Sequence, residues 1–138
     1  MVKLGIIALV LSFFAFPYGA GAATFDGSKP LLCALMHAIE CTQKEGCKDV
    51  SVEDLNLPEF LVIDFNKKTI ESVEEGGRVS AIDSIKEIEG KLILQGAEGG
   101  PRGGAGWSMA IQEGNGKFVL TASGDLVAVV VFGACTPR

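Results

Sequence analysis

Histidine, tryptophan and tyrosine occur once each in this 138-residue chain, and its 12 lysines and arginines are outnumbered by 17 aspartates and glutamates. No polybasic run or basic aromatic surface is visible. Because phosphate backbones are held by clustered Lys and Arg, nucleic acid is not an expected partner. His37 being the only histidine leaves a Ser-His-Asp or Cys-His catalytic set without support. No apolar run reaches the roughly 20 residues that a membrane-spanning helix needs, so no stable membrane anchor is expected. The glycine-rich stretch 96–106 is not followed by Gly-Lys-Ser/Thr, which removes the phosphate-loop reading.

The sequence opens with one cation, Lys3, before an uncharged and mostly apolar run from Leu4 to Phe16. Pro17, Tyr18 and Gly19 end that run, and Ala20, Gly21, Ala22 supply the small side chains of a cleavage site. This is the pattern of a secretory signal peptide over residues 1–22. The expected mature domain, 23–138, has 138 − 22 = 116 residues, enough for one hydrophobic core and too few for two. Removing Lys3 takes the formal charge from −5 to −6. That acidity favours solubility and opposes anionic lipid headgroups. All four cysteines, Cys33, Cys41, Cys47 and Cys135, lie in the mature part, and an even count in an exported domain reads as two disulfides. The expected location is the periplasm or the exterior.

Ser28 before Lys29 and Pro30 resembles a helix start, with a capping oxygen followed by a first-turn proline. Leu32, Leu35, Met36 and Ile39 then fall on one stripe at helical spacing, which predicts a helix to about Cys41. From Phe60 onward the texture changes to short apolar runs separated by Gly and Asn. Strands are expected over 60–65, 68–73, 78–83, 85–89, 91–95, 107–112 and 117–123, with turns at Asn66-Lys67, at Glu74–Gly77, at Glu89-Gly90 and at Asn115-Gly116. Every link is short, as in an antiparallel meander. The last strand, 126–135, is apolar on both faces and should be either central and covered on both sides or part of a closed small barrel. The fold class is therefore α+β, mostly β: an N-terminal helix packed on an antiparallel sheet of six to eight strands, open or closed into a barrel.

On such a helix Cys33 and Cys41 stand about 12 Å apart, beyond the roughly 7 Å that a disulfide spans between Cα atoms. That leaves Cys41 with Cys47 and Cys33 with Cys135 as the preferred pairing, and Cys33 with Cys47 and Cys41 with Cys135 as the other. The i, i+4, i+8 ridge of Cys33, His37 and Cys41 has ligand-type side chains for zinc, but oxidised cysteines cannot ligate and the outer two are too far apart for one ion. No metal or cofactor is expected. With the thiols oxidised no nucleophilic cysteine remains. The carboxylates Asp64, Asp83, Glu87, Glu89 and Glu98 supply candidates for an acid/base pair, which would have to stand about 5 to 9 Å apart. The stretch from Gly96 to Gly106 reads as a flexible hairpin connection, with Arg102 in it and Trp107 beside it as candidate partner contacts.

Four segments carry a family resemblance: Phe25-Asp26-Gly27-Ser28-Lys29-Pro30-Leu31-Leu32-Cys33, Leu92-Ile93-Leu94-Gln95-Gly96, Gly106-Trp107-Ser108, and Val131-Phe132-Gly133-Ala134-Cys135-Thr136-Pro137. In that order they resemble a group of uncharacterised exported bacterial proteins, over nearly the whole mature chain. The resemblance implies a bacterial envelope protein and brings no activity or site residues with it. A looser likeness, in architecture alone, is to small periplasmic β-barrels that inhibit lysozyme. The function expected is a non-enzymatic binding or interaction module of the cell envelope, its partner a small molecule or an envelope protein. The alternatives are an inhibitor of a lysozyme-like enzyme and a small carboxylate-dependent hydrolase.

Overall fold

A computed structural model describes residues 24–100 and 104–138; the signal-peptide segment and Arg102 lie outside the described residues. Ten strands follow one another: β1 Leu31–Thr42, β2 Gly46–Val50, β3 Phe60–Asp64, β4 Thr69–Ser72, β5 Val79–Ala81, β6 Ser84–Ile88, β7 Lys91–Glu98, β8 Ala105–Gln112, β9 Lys117–Gly124 and β10 Val127–Pro137. Among the described residues there is no helix.

The expected N-terminal helix is therefore corrected to strand β1. Leu31, Cys33 and Leu35 are buried in strict alternation, the period of a half-buried strand. Between Leu35 and His37 the register against β10 shifts, leaving Met36 as an extra residue that is 72% exposed. Beyond this bulge the inward parity passes to Ala38. The residues at helical spacing therefore come from both faces of the strand: Leu35 is buried inward, Leu32 and Ile39 have the outward parity, and Met36 is the bulged residue. The Ser28 cap is instead part of a turn: the Asp26 carboxylate accepts the Ser28 N–H at 3.0 Å.

All pairings are antiparallel, and the sheet order is β5-β4-β3-β1-β10-β9-β8-β7-β6, with β2 beside β1 as well. The sheet curls into a half-barrel whose two end strands, β5 and β6, are consecutive in the chain. At the bend between them successive amides point to opposite neighbours. Ile82 N–H donates to Lys68 O at 2.8 Å, and Asp83 N–H donates to Gln95 O at 2.9 Å. A carbon added at Gly96 of β7 would overlap the Ala81 carbonyl, so the ends of the sheet lie against each other. The strand count exceeds the expected six to eight because β1 replaces the helix and the weakly patterned β2 joins it.

The inner wall is built from Leu31, Cys33, Ile63, Leu94, Met109, Ile111 and Val131, all fully or almost fully buried. Strand β10 is central, between β1 and β9. Its inner face is covered, but on its outer face Phe132 stays 40% exposed, so the expected cover on both sides is absent among the described residues. One end of the barrel is stoppered by Phe25, which is 5% exposed. Its ring fits where a side chain at Gly116 would collide with it, and Gly116 has φ +71°, a left-handed value that glycine adopts freely. At the other end the segment 51–59 packs Val52, Leu55 and Leu57 against the core. It is folded by Asp54 N–H donating to Ser51 Oγ at 2.9 Å and by Leu57 N–H donating to Val52 O at 3.1 Å.

Candidate functional site

Tracing the strands from their partners places the β1–β2, β4–β5, β7–β8 and β9–β10 connections at one end of the barrel, opposite Phe25. There the chain leaves a cleft of about 750 Å³, within the range of small-ligand sites and in the position where β-barrels hold them. Strands β8, β9 and β10 contribute small or branched inward residues, Ala105, Ala122, Val127 and Val129. Polar groups come from the edges: Arg78 and Ser80 from the β4–β5 side, Glu98 from β7, Ser123 and Asp125 from the β9–β10 end. The cleft thus has an apolar floor and a charged rim. Arg78 Nη1 stands 3.6 Å from Glu98 Oε2, an ion pair across the meeting ends of the sheet. Such a partly exposed pair contributes little to stability. It fixes two opposite charges at the rim instead.

Two residues at the rim hold an unusual backbone. Asp125 and Leu126, the whole connection between β9 and β10, have φ +48° and +65°. This is the two-residue turn that Asn-Gly or Asp-Gly normally fills, because both central residues must be left-handed. A leucine there is sterically disfavoured. It gains nothing from packing either, being 87% exposed, the most exposed large apolar side chain among the described residues.

Among the sequence candidates, Trp107 lies next to this cleft but faces inward. It pairs with Gly96 across β7 and β8, packs against the core, and occupies the space that a Cβ on Gly96 would need. Its Nε1 is buried with no hydrogen-bond partner among the described residues. Arg102 lies outside the described residues. The five candidate carboxylates do not assemble into one site. Asp64 caps the β3–β4 turn, its Oδ1 accepting the Asn66 and Lys67 N–H groups at 3.0 Å each. Those bonds, the Lys67 one foremost, hold its carboxyl below the ordinary range. Asp83, Glu87 and Glu89 are on or beside the exposed strand β6. Only Glu98 reaches the cleft, where Asp125 joins it. Asp125 escaped the sequence reading because a turn residue carries no signal of what its turn overhangs. Among the described residues no three His, Cys, Asp or Glu side chains cluster as metal ligands would.

The disulfides are Cys33–Cys135 and Cys41–Cys47. Each joins residues directly opposite one another, on β1 and β10 and on β1 and β2. This is the preferred pairing, but the geometric ground for it changes. Eight residues of extended strand separate Cys33 from Cys41 by about 26 Å, farther than the helix would. Cys33 is fully buried whereas Cys47 is exposed. The Cys33–His37–Cys41 ridge does not exist. His37 lies on the outer wall, where its ring stacks at 6.1 Å on Phe132 and its Nε2 meets Asp49 Oδ1 at 3.2 Å.

Comparisons with protein-family models, with curated proteins and with solved structures found no match to this chain.

Proposed function

We propose that this chain is an exported, non-enzymatic binding module of the bacterial envelope, and that its ligand enters the open end of the half-barrel. The supporting observation is the asymmetry of the two ends. Phe25 fills one, whereas at the other the segment 51–59 covers only part of the core and leaves the 750 Å³ cleft with its apolar floor and the Arg78–Glu98 pair at its rim. A ligand that suits it is a small amphipathic molecule with an apolar body for Val127 and Val129 and a polar group for the rim. Two disulfides suit an oxidising compartment, in keeping with export. The scaffold needs no helix to hold its shape, since the first and last strands are bolted together by Cys33–Cys135.

The single tryptophan provides the test. Trp107 neighbours Ala105 and Gly96 at the cleft end, so its emission reports on occupancy. Fractions of envelope extract and a metabolite set would be titrated into the purified protein. The expected result is a saturable change in Trp107 emission that Val129→Phe, by filling the cleft, and Arg78→Ala both weaken by tenfold or more. Binding left intact in both variants would place the ligand elsewhere. Turnover of a substrate without any binder would make the protein an enzyme.

A second reading, an inhibitor of a lysozyme-like enzyme, is favoured by the Asp125–Leu126 turn. A bulky apolar side chain held out in a disfavoured backbone is what an insertion into a partner's cleft requires. Inhibition of lysozyme that Leu126→Ala abolishes is the outcome that would establish it over the first.

A further inference from the structure

The outer wall of strands β6 to β10 departs from the charge balance of the chain. Strand parity sets which residues face out, and it can be followed row by row through the pairings. Lys86 stands opposite Ile93, Ile93 opposite Ala110, Ala110 opposite Val119, Val119 opposite Phe132, and Phe132 opposite His37. In the adjacent row Ile88 faces Lys91 and Lys91 faces Gln112, with Lys117 facing Ala134 on the β9–β10 side. Burial agrees: Leu92, Leu94, Met109, Ile111 and Phe118 alternate inward, while Lys86, Lys91 and Lys117 are exposed.

Three consequences follow from that placement. The outward positions of these five strands carry Lys86, Lys91 and Lys117 and not one carboxylate; Glu87 and Glu98 have the opposite parity. None of the three lysines takes part in an ion pair among the described residues. Between Lys91 and Lys117 lies a shallow groove of about 380 Å³ along Ala110, Val119 and Phe132. Ile88 at 53%, Val119 at 37% and Phe132 at 40% exposed extend the apolar surface.

We infer that this wall is a docking surface for an anionic lipid bilayer. A net charge of −5 argues against such a partner only as an average over the molecule. At physiological salt a surface charge is felt over about 8 Å, so a bilayer meeting the middle of this wall senses its three lysines first, while the nearest carboxylates, Glu89 and Glu113 in the turns beside Lys91 and Asp49 against His37, stand along its margins. Lysines draw the protein to anionic headgroups, and Phe132, Val119 and Ile88 enter the headgroup boundary as apolar residues of interfacial proteins do. The wall is convex and five strands wide, a shape for a surface rather than for enclosing one molecule. A second copy of the chain would set three lysines against three, which disfavours self-association through this face.

The experiment is co-sedimentation of the mature protein with vesicles of phosphatidylcholine alone and of phosphatidylcholine with phosphatidylglycerol in equal parts. Binding is expected to the anionic vesicles only and to be lost at about 1 M salt, where the screening length falls to about 3 Å. Each lysine near an anionic surface is worth about fivefold in partitioning, so the triple variant Lys86→Gln, Lys91→Gln, Lys117→Gln should bind about a hundredfold more weakly. Phe132→Ser should weaken binding at unchanged salt sensitivity. Circular dichroism and the melting temperature confirm that each variant is folded. The inference is overturned by absence of vesicle binding, by equal binding to both compositions, or by a triple variant that binds as the parent does. It is also overturned if only monomeric dodecyl phosphate binds, or if sedimentation velocity shows a dimer that Phe132→Ser dissolves.

Discussion

Replacing Leu126 by glycine should make this protein more stable, although it removes a large apolar side chain. An L-residue held in the left-handed region costs about 1–2 kcal/mol, and Leu126 sits there at φ +65°. Glycine removes that cost but loses about 0.5–1 kcal/mol through the greater freedom of its unfolded chain. At 87% exposure the leucine buries almost nothing, so truncation forfeits little hydrophobic stabilisation. The balance is a gain of about 0.5–1 kcal/mol. For a domain of this size about 1 kcal/mol shifts the midpoint by about 4 °C, so Leu126→Gly should melt about 2–4 °C higher. Leu126→Ala is the control, because alanine keeps the disfavoured backbone and should leave the midpoint close to its starting value. Calorimetry and urea unfolding of the three proteins measure both effects. A glycine variant that melts at or below the parent, or an alanine variant that gains as much as glycine, would refute the reasoning. In the inhibitor reading the same Leu126→Gly protein, though more stable, would no longer bind its target.

The two disulfides should differ in their contribution. Loop-closure entropy gives about 4.7 kcal/mol for the 102-residue span of Cys33–Cys135 and about 2.2 kcal/mol for the 6-residue span of Cys41–Cys47; urea unfolding of the paired Cys→Ala variants should show the first as the more damaging, and the reverse order would be a contradiction. Phe25→Ala should cost about 3–5 kcal/mol in the same assay, because the ring closes one barrel end at 5% exposure; a loss under 1 kcal/mol would mean the end is sealed without it. The carboxyl of Asp64 is held low by the Lys67 and Asn66 amides, and that of Asp26 by the Ser28 hydroxyl and amide. A depressed folded-state value means stability that is present above the ordinary value of 3.8 and is lost as pH falls through the folded one. Asp64→Asn should therefore lower the melting temperature at pH 7 and flatten its decline below about pH 4, and an unchanged acid limb would refute this.

Much of the β architecture is legible without coordinates, because its signals are local. Glu89-Gly90 turns the chain where expected, between Ile88 and Lys91. The apolar run ending at Cys135 forms a central strand. Export chemistry and an even cysteine count pointed to two disulfides. The helix failed for a reason just as local: β1 carries apolar residues on both faces, and the outward Leu32 and Ile39 and the bulged Met36 combine with the inward Leu35 into a spacing that imitates a helical stripe. Only partners across the sheet distinguish the two, and β10, which begins 85 residues after the end of β1, supplies them (127 − 42 = 85).

The cleft and the lysine wall were out of reach of the sequence for a different reason. Arg78 and Glu98, or Lys86 and Lys117, are unremarkable charges until the barrel curls and its ends meet. The sequence by itself determined the strand-and-turn grammar, the oxidised cysteines and the absence of a basic run, since each depends on neighbours along the chain. The tertiary structure alone decided which residues share a face, which end is stoppered, and where charge accumulates. Those properties depend on register, and register arises from pairing strands that are distant in the chain.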